Sequence, residues 1–169
     1  MKNSTPFSSP ESMRITLTLP HHGNCSGMAV RRGITLIVGG GYHGKSTLLK
    51  ALEAGVYDHI AGDGREFVIT DDTALKLRAE DGRSIRNVDI SMFINDLPNK
   101  KDTRCFSTED ASGSPSQAAA VIEGIESGSR VFLIDEDTSA TNFMVRDDLM
   151  QKVINRSHEP ITPFTSRAE

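Results

Sequence analysis

The sequence has few of the residues that mark several common classes of protein. Aromatic residues make up only 5% of its 169 residues and tryptophan is absent, although 37% hydrophobic and 25% charged residues fit a soluble globular protein. The two cysteines, Cys25 and Cys105, lack the spacing of a disulfide framework or of a metal site. We therefore expect a reducing compartment, the cytoplasm.

Long apolar runs and an excess of basic residues are also missing. No apolar run is long enough to span a bilayer, and the N-terminus lacks the apolar core of a signal peptide. The net charge of −4 provides no general attraction to nucleic acid or to an anionic membrane. The length predicts one domain. We expect a disordered Pro/Ser-rich tail over residues 1–12 and a folded core over residues 13–169.

A glycine-rich loop is the clearest signal that the sequence does contain. Residues 34–38 (ITLIV) form a short β-branched run that predicts a strand buried on both faces, and residues 48–52 (LLKAL) are helix formers. Between them, residues 39–46 match the pattern G-x-x-x-x-G-K-[ST]. A strand, this loop and a helix together predict a phosphate-binding loop. A chance match in an ordinary turn is the alternative, and the flanking elements disfavour it.

The residue types in this loop suit a nucleoside triphosphate. Glycines allow backbone N–H groups to approach the phosphates closely, and the N-terminus of the following helix adds positive potential. Lys45 can bind the β- and γ-phosphates and take part in catalysis, and the Ser46 hydroxyl can ligate Mg²⁺. We therefore predict ATP and Mg²⁺ as cofactors, with nucleotide-binding residues Gly39, Gly40, Gly41, Tyr42, His43, Gly44, Lys45, Ser46 and Thr47.

Two carboxylates follow residues 130–134 (RVFLI), which predict a second buried strand. Ligands of open α/β sheets bind at the carboxyl ends of the strands, so these acids can face the same nucleotide as the glycine-rich loop. We predict that Asp135 holds Mg²⁺ beside Ser46, and that Glu136 is catalytic because it polarises the attacking water. A solvated strand end is the alternative interpretation.

The remaining local patterns predict further elements. Alternation over residues 14–19 indicates a half-buried strand, and residues 66–70 indicate another. Ser114 as N-cap and Pro115 as first helical residue predict a helix that runs to Ser127 and ends at Gly128. The other predictions are a hairpin of residues 74–78 and 84–88, a helix over residues 141–154, and loops over residues 20–27, 97–110 and 155–169.

The residues around the two motifs resemble a known family. Residues 134–142 (IDEDTSATN) resemble the Walker B and D-loop sequence L-D-E-P-T-S-A-L-D of ABC ATPases, with differences at Asp137, Thr141 and Asn142. Residues 111–114 (ASGS) resemble a diverged ABC signature, and Ser112 precedes Asp135 by the usual 23 positions. The sequences "LIVGGGYHGKSTLL" and "LIDEDTSATNFM" are similar to those of the predicted ATPases of the ABC class. This resemblance covers about residues 9–169.

The resemblance implies an α/β P-loop NTPase fold of ABC type, with a mixed or parallel sheet flanked by helices. It implies an ATP-dependent homodimer in which Ser112, Gly113 and Ser114 of one copy cap the γ-phosphate that Lys45 of the other copy holds. Hydrolysis would then drive a conformational switch. An ordinary capped helix is the alternative for residues 112–114. Nucleic-acid binding rests on analogy with other soluble ABC ATPases, and the net charge does not favour it.

The sequence departs from the family pattern in several places. No glutamine lies between Ser46 and Ser112, so Asp89 or Asn95 would have to replace the usual one. No aromatic residue lies between Phe7 and Tyr42 to stack on adenine, and His158 is expected to be a solvated loop residue instead of the switch histidine. We therefore expect the central part of a longer protein, or a shortened paralogue. A non-hydrolysing ATP-binding module is the alternative function, and the signature spacing argues against a small-molecule kinase.

Overall fold

The computed structural model describes residues 6–95, 97, 101–145 and 159–168. The chain divides into two compact units, Met1–His43 and Gly44–Glu169. Residues 6–10 have no regular secondary structure, and Glu11–Met13 form one turn of 3-10 helix. The predicted division into a tail over residues 1–12 and a core thereafter stays a prediction.

The first unit contains an antiparallel hairpin. Strand β1 (Arg14–Leu19) pairs with strand β2 (Gly23–Met28). The strand predicted over residues 14–19 is therefore confirmed, but its side chains are almost all exposed instead of half-buried. The loop predicted over residues 20–27 is wrong where β2 forms. The β2 sequence, GNCSGM, has no alternation of apolar residues that would predict a strand. It becomes a strand because it pairs with β1.

Residues 34–38 differ most from their prediction. They form no strand, and Ile34, Leu36 and Val38 are 66%, 79% and 82% exposed. None of the described residues of Met1–His43 is buried. A strand that is buried on both faces needs hydrogen-bonding neighbours and covering helices, and an apolar run by itself supplies neither. The predicted buried strand is therefore wrong.

The second unit has α/β architecture. Strand β3 (Leu75–Leu77) pairs in parallel with strand β6 (Phe132–Ile134), and strand β4 (Arg83–Val88) pairs antiparallel with strand β5 (Phe106–Ala111). The α-helices among the described residues of this unit are α1 (Lys45–Ala54), α2 (Gly113–Glu126) and α3 (Thr141–Met144). The predicted α/β class with a parallel sheet flanked by helices is confirmed.

The predicted hairpin of residues 74–78 and 84–88 is wrong. Its two halves enter different sheets, because β3 pairs with β6 and β4 pairs with β5. Strand β5 lies in the segment predicted as a polar loop, residues 97–110. Its sequence, FSTEDA, buries only its two end residues, Phe106 and Ala111, so it carries little apolar signal.

Helix α2 packs closely against the parallel pair at Gly124. A β-carbon on Gly124 would lie 2.7 Å from Phe132 Cε1 and 2.9 Å from Leu75 Cδ2. These separations are too short for carbon atoms, so glycine permits the approach of the helix to both strands. This contact sets the distance between α2 and the strand that carries Asp135 at its end.

Three phenylalanine rings are in contact at one side of the core. The rings of Phe93 and Phe143 meet edge to face with centroids 5.1 Å apart, and Phe164 stacks on Phe93 at 6.2 Å. These residues come from three distant segments of the chain, so their contact holds these segments together within the second unit. The other large aliphatic residues of this core are Leu77, Ile85, Val88, Ile90, Ile94 and Val121.

The C-terminal predictions are tested only in part. Helix α3 confirms the start of the helix predicted over residues 141–154, but Val145 is not helical, and residues 146–158, with His158, lie outside the described residues. Within the predicted loop over residues 155–169, Ile161 forms a β-bridge with Ile94, and Phe164–Ser166 form a 3-10 turn.

Candidate nucleotide-binding site

The glycine-rich loop is divided between the two units. Residues 39–43 belong to the first unit, where Tyr42 has a φ of +62° and a fully exposed side chain. A β-carbon on Gly40 would lie 3.1 Å from His43 Cε1, so the absence of a side chain lets the imidazole lie close to the backbone. A tyrosine in the left-handed backbone conformation is uncommon, and residues with this conformation are concentrated at functional sites.

The second part of the loop leads directly into helix α1. Gly44 has a φ of +85°, with no atom within 4 Å of the position of a β-carbon. The Leu48 N–H then donates the first intrahelical bond to the Gly44 carbonyl at 2.9 Å. Lys45, Ser46 and Thr47 therefore occupy the first turn, whose N–H groups have no acceptor within the helix and carry positive potential. The predicted helix is confirmed.

The C-terminal end of α1 is anchored to β3 and to the segment before it. The Thr70 hydroxyl donates to the Leu52 carbonyl at 2.6 Å, and Lys76 Nζ lies 3.0 Å from Glu53 Oε2. The strand predicted over residues 66–70 is wrong, because these residues pair with no strand and Thr70 bonds to α1 instead. Phe67 is accordingly 54% exposed.

The two predicted acids begin a tight turn after β6, here called the acid turn (residues 135–140). The Asp135 carbonyl accepts the Ser139 hydroxyl at 2.8 Å and the Thr138 N–H at 3.2 Å. The Asp135 side chain is half-buried and that of Glu136 is exposed. The Ala79 N–H donates to the Thr138 carbonyl at 2.8 Å, which fixes the turn to the segment after β3.

The signature-like residues form the beginning of α2. Ser112 is the N-cap and Gly113 the first helical residue, so the prediction of Ser114 as N-cap is wrong by two residues. The Ser112 carbonyl accepts the Ser116 N–H at 3.1 Å. Pro115 is tolerated as the third helical residue because the N–H that it lacks would have no partner within the first turn.

The structure brings the start of α2 and the acid turn together. A β-carbon on Gly113 would lie 3.4 Å from Ala140 Cβ. Gln117 Oε1 accepts the Ala140 N–H at 2.8 Å, and Gln117 Nε2 donates to Ser139 Oγ at 3.1 Å. The signature-like residues and the acids are therefore connected within one copy of the chain.

Two buried polar residues at this contact were missed by sequence reasoning. The side chains of Ser116 and Gln117 are both fully buried. Ser116 Oγ accepts the Glu80 N–H at 2.9 Å and donates to the Gly113 carbonyl at 2.8 Å. The one signal in the sequence is their position directly before the apolar run AAAVI on the same helix, which suggests that they are buried with it. Buried polar groups then need specific hydrogen-bonding partners.

Comparison with known families supports these motifs. The chain matches the family model ABC_ATPase, a P-loop domain, over residues 1–169. The chain belongs to this ABC ATPase family. A P-loop domain of this family binds or hydrolyses nucleotides, and ATP is the nucleotide that its description implies.

A relative of this P-loop domain is known from an archaeon. The uncharacterized protein MJ1628 of Methanocaldococcus jannaschii is 35% identical over 143 residues. The match covers 83% of this chain and 32% of that protein, so the chain spans about a third of the relative's length.

The residue types predicted to hold the metal are ones that Mg²⁺ accepts as ligands. Mg²⁺ is usually held by one or two carboxylates together with substrate phosphates and water. Among the residues that the structure describes, no group of three or more histidine, cysteine or acidic side chains could hold a metal ion. A single carboxylate at Asp135 with the Ser46 hydroxyl is the kind of set that Mg²⁺ takes when phosphates complete it. That these two residues share one ion stays a prediction.

The candidates for the missing glutamine have local contacts. Asp89 Oδ1 accepts the Ser91 N–H at 2.9 Å, and hydrogen bonds from Ser91 lower the pKa of the Asp89 carboxyl. The Asn95 N–H donates to the Pro160 carbonyl at 2.7 Å. A role for either side chain at the metal stays a prediction. In the described part of the chain, no helix has the length and apolar character to cross a membrane.

Proposed function

We propose that this chain is the core of an ABC-class ATPase that binds ATP, hydrolyses it in the presence of Mg²⁺ and acts as an ATP-driven switch. The observation that carries the proposal is the hydrogen-bonded contact between the start of α2 and the acid turn. In an ATP sandwich, each copy holds its own nucleotide with the acids and caps its partner's nucleotide with the signature. A direct connection between these two parts is what such a switch requires.

The proposed roles follow from charge and position. Lys45 and the first-turn amides of α1 bind the β- and γ-phosphates and neutralise the charge that develops during transfer. Ser46 and Asp135 would hold Mg²⁺, which would supply positive charge to the phosphates. Glu136 is exposed beside Asp135 and orients the attacking water.

A second copy completes the proposed site. Ser112 is exposed at the N-terminus of α2, where its hydroxyl and the first helical amides can face a γ-phosphate. Gly113 and Ser114 belong to the same first turn. We therefore propose that two copies associate head to tail when ATP is bound and separate after hydrolysis.

The test combines ATP turnover with light scattering. For Glu136→Gln we expect kcat to fall by about 100-fold or more, with ATP binding and the dimer retained. Lys45→Ala should weaken ATP binding by about 10-fold or more, because a hydrogen-bonded charge at the phosphates is lost. Asp137→Asn is the matched control, since it removes an exposed acid from the same turn and should leave kcat within about threefold. An unchanged rate in Glu136→Gln would remove Glu136 from its role.

A non-hydrolysing ATP-binding or regulatory module is the second candidate. The local contact of Asp89 with Ser91 favours it, because one candidate for the missing glutamine already has a hydrogen-bonding partner. This function predicts tight ATP binding together with near-background turnover in both the wild type and Glu136→Gln.

We also propose a cytoplasmic location. The free thiols of Cys25 and Cys105 support a reducing compartment. Binding of nucleic acid has no support from the net charge of −4. Electrophoretic mobility shifts with short duplexes at low salt provide a direct test.

A further inference from the structure

The buried side-chain amide of Gln117 has hydrogen-bonding partners at both its oxygen and its nitrogen, close to the acids. Its side chain is fully buried on α2, where an amide without partners would be strongly unfavourable. Its oxygen accepts the Ala140 N–H at 2.8 Å, and its nitrogen donates to Ser139 Oγ at 3.1 Å. The same nitrogen lies 3.6 Å from Met144 Sδ at the end of α3. All three partners lie within the acid turn or in the short helix that follows it.

A chain of hydrogen bonds runs from this amide to the proposed metal ligand. Gln117 Nε2 donates to Ser139 Oγ, and the Ser139 hydroxyl donates in turn to the Asp135 carbonyl at 2.8 Å. The Asp135 backbone is thereby held at its carbonyl, while its carboxylate extends from the same residue. If the chain breaks, the Asp135 carbonyl keeps the Thr138 N–H at 3.2 Å but loses the shorter bond from Ser139, so the residue that carries the carboxylate is held less firmly.

We propose that Gln117, acting through Ser139, is a positioning residue that orients the Asp135 carboxylate for Mg²⁺·ATP. The inference rests on the proposed function. It assigns the buried amide a role beyond packing, because partners behind a metal ligand decide how well the ligand fits its ion. Neighbouring Ser116 provides a contrast, since it is equally buried and its bonds go to Glu80 and Gly113 instead of the acid turn.

The experiment measures the magnesium gain, defined as the ratio of the Kd of ATP in EDTA to its Kd with excess Mg²⁺. We expect Gln117→Met, which keeps the side-chain length but removes the amide, to lower this gain by about 10-fold or more. The Kd of ATP in EDTA should stay within about twofold, because Lys45 and the loop amides are unchanged. Ser116→Ala is the matched control and should keep the wild-type gain. Isothermal titration provides both constants, and circular dichroism establishes folding.

A second variant tests the same inference if Gln117→Met fails to fold. Ser139→Ala removes the middle of the hydrogen-bond chain and leaves the bond between Gln117 and the Ala140 N–H in place. We expect it to lower the magnesium gain as well. The double variant should show no further loss, because both changes break one chain.

The outcomes separate this inference from the proposed function. If the wild type does not bind ATP, both are overturned. If the wild type binds ATP with a magnesium gain that survives in Gln117→Met and in Ser139→Ala, the positioning role alone is overturned. Equal weakening of binding with and without Mg²⁺ would mean that Gln117 only supports the fold. A wild type without any magnesium gain would also overturn the positioning role.

Discussion

The two units of this chain show two ways of making β-structure. In Met1–His43, the hairpin of β1 and β2 is held by backbone bonds and by hydroxyl contacts such as Thr16 Oγ1 to Ser26 Oγ at 2.7 Å, and none of its described residues is buried. In Gly44–Glu169, the strands lie against α2 and contribute to an apolar core. Pairing between neighbouring strands is enough to form the hairpin of the first unit. The contacts between α2 and the acid turn, by contrast, lie in the unit that has an apolar core.

Two similar sequences make the same comparison more sharply. Residues 34–38 (ITLIV) and β6 (FLI) are both short apolar runs that end just before candidate functional residues. Strand β6 pairs with β3 and is covered by α2 at Gly124, whereas residues 34–38 pair with no strand and are exposed. The difference lies in the available neighbours and not in the hydrophobicity of the run.

Removal of a core aromatic side chain should have the largest effect on the second unit. Phe143 is fully buried between Phe93 and Phe164, so Phe143→Ala should cost about 3–5 kcal/mol of unfolding free energy. Urea unfolding followed by circular dichroism measures this loss. Phe67→Ala makes the same chemical change at an exposed site and should cost much less. Equal losses at the two positions would contradict the described core.

Overpacking at Gly124 should have the next largest effect. Gly124→Ala would place a methyl group 2.7 Å from Phe132 Cε1, and we expect a loss of about 1–3 kcal/mol in thermal or urea unfolding. Gly27→Ala is the control in the first unit, because no atom lies within 4 Å of its β-carbon position. Stability there should change by about 0.5 kcal/mol or less. A neutral Gly124→Ala would mean that α2 lies farther from the parallel pair.

Acid should weaken the link between the segments that precede β3 and β6. Hydrogen bonds from Thr73, together with the Arg130 guanidinium 3.2 Å away, lower the pKa of Asp71 below its usual 3.8. This contribution to stability is present above pH 3.8 and is lost as the pH falls through the lower pKa of the folded state. Unfolding between pH 7 and pH 2 measures it, and Asp71→Asn should reduce the loss between about pH 4 and pH 2. An unchanged pH dependence in that variant would contradict the assignment.

The smallest effect is expected in the apolar segment of the first unit. Val38 is 82% exposed, so Val38→Ser should change the unfolding free energy by about 0.5 kcal/mol or less. Leu133→Ser, at a buried position of β6, is the matching change in the second unit and should cost more. A loss of about 2 kcal/mol at Val38 would instead favour the buried strand that the sequence predicts.

The success of the sequence predictions depended on the range of the interactions involved. Helix α1 follows the glycine-rich loop as predicted, and α2 ends within one residue of its predicted end, because helix hydrogen bonds and caps lie within a few residues. The family also follows from local motifs and is confirmed. The pairing of β3 with β6 was missed, because the partners are far apart in the chain and the local pattern favoured a nearer hairpin of residues 74–78 and 84–88.

The sequence by itself determined the glycine-rich loop, the helix that follows it, the acid pair after an apolar run, and membership of an ABC-class P-loop family. Each of these depends on residues that are close along the chain. Only the tertiary structure decided which strands pair, which apolar runs are buried, and that the Gln117 amide contacts the acid turn. Those outcomes depend on distant neighbours, and the free energy of burial or of a buried hydrogen bond is realised only when those neighbours are in place.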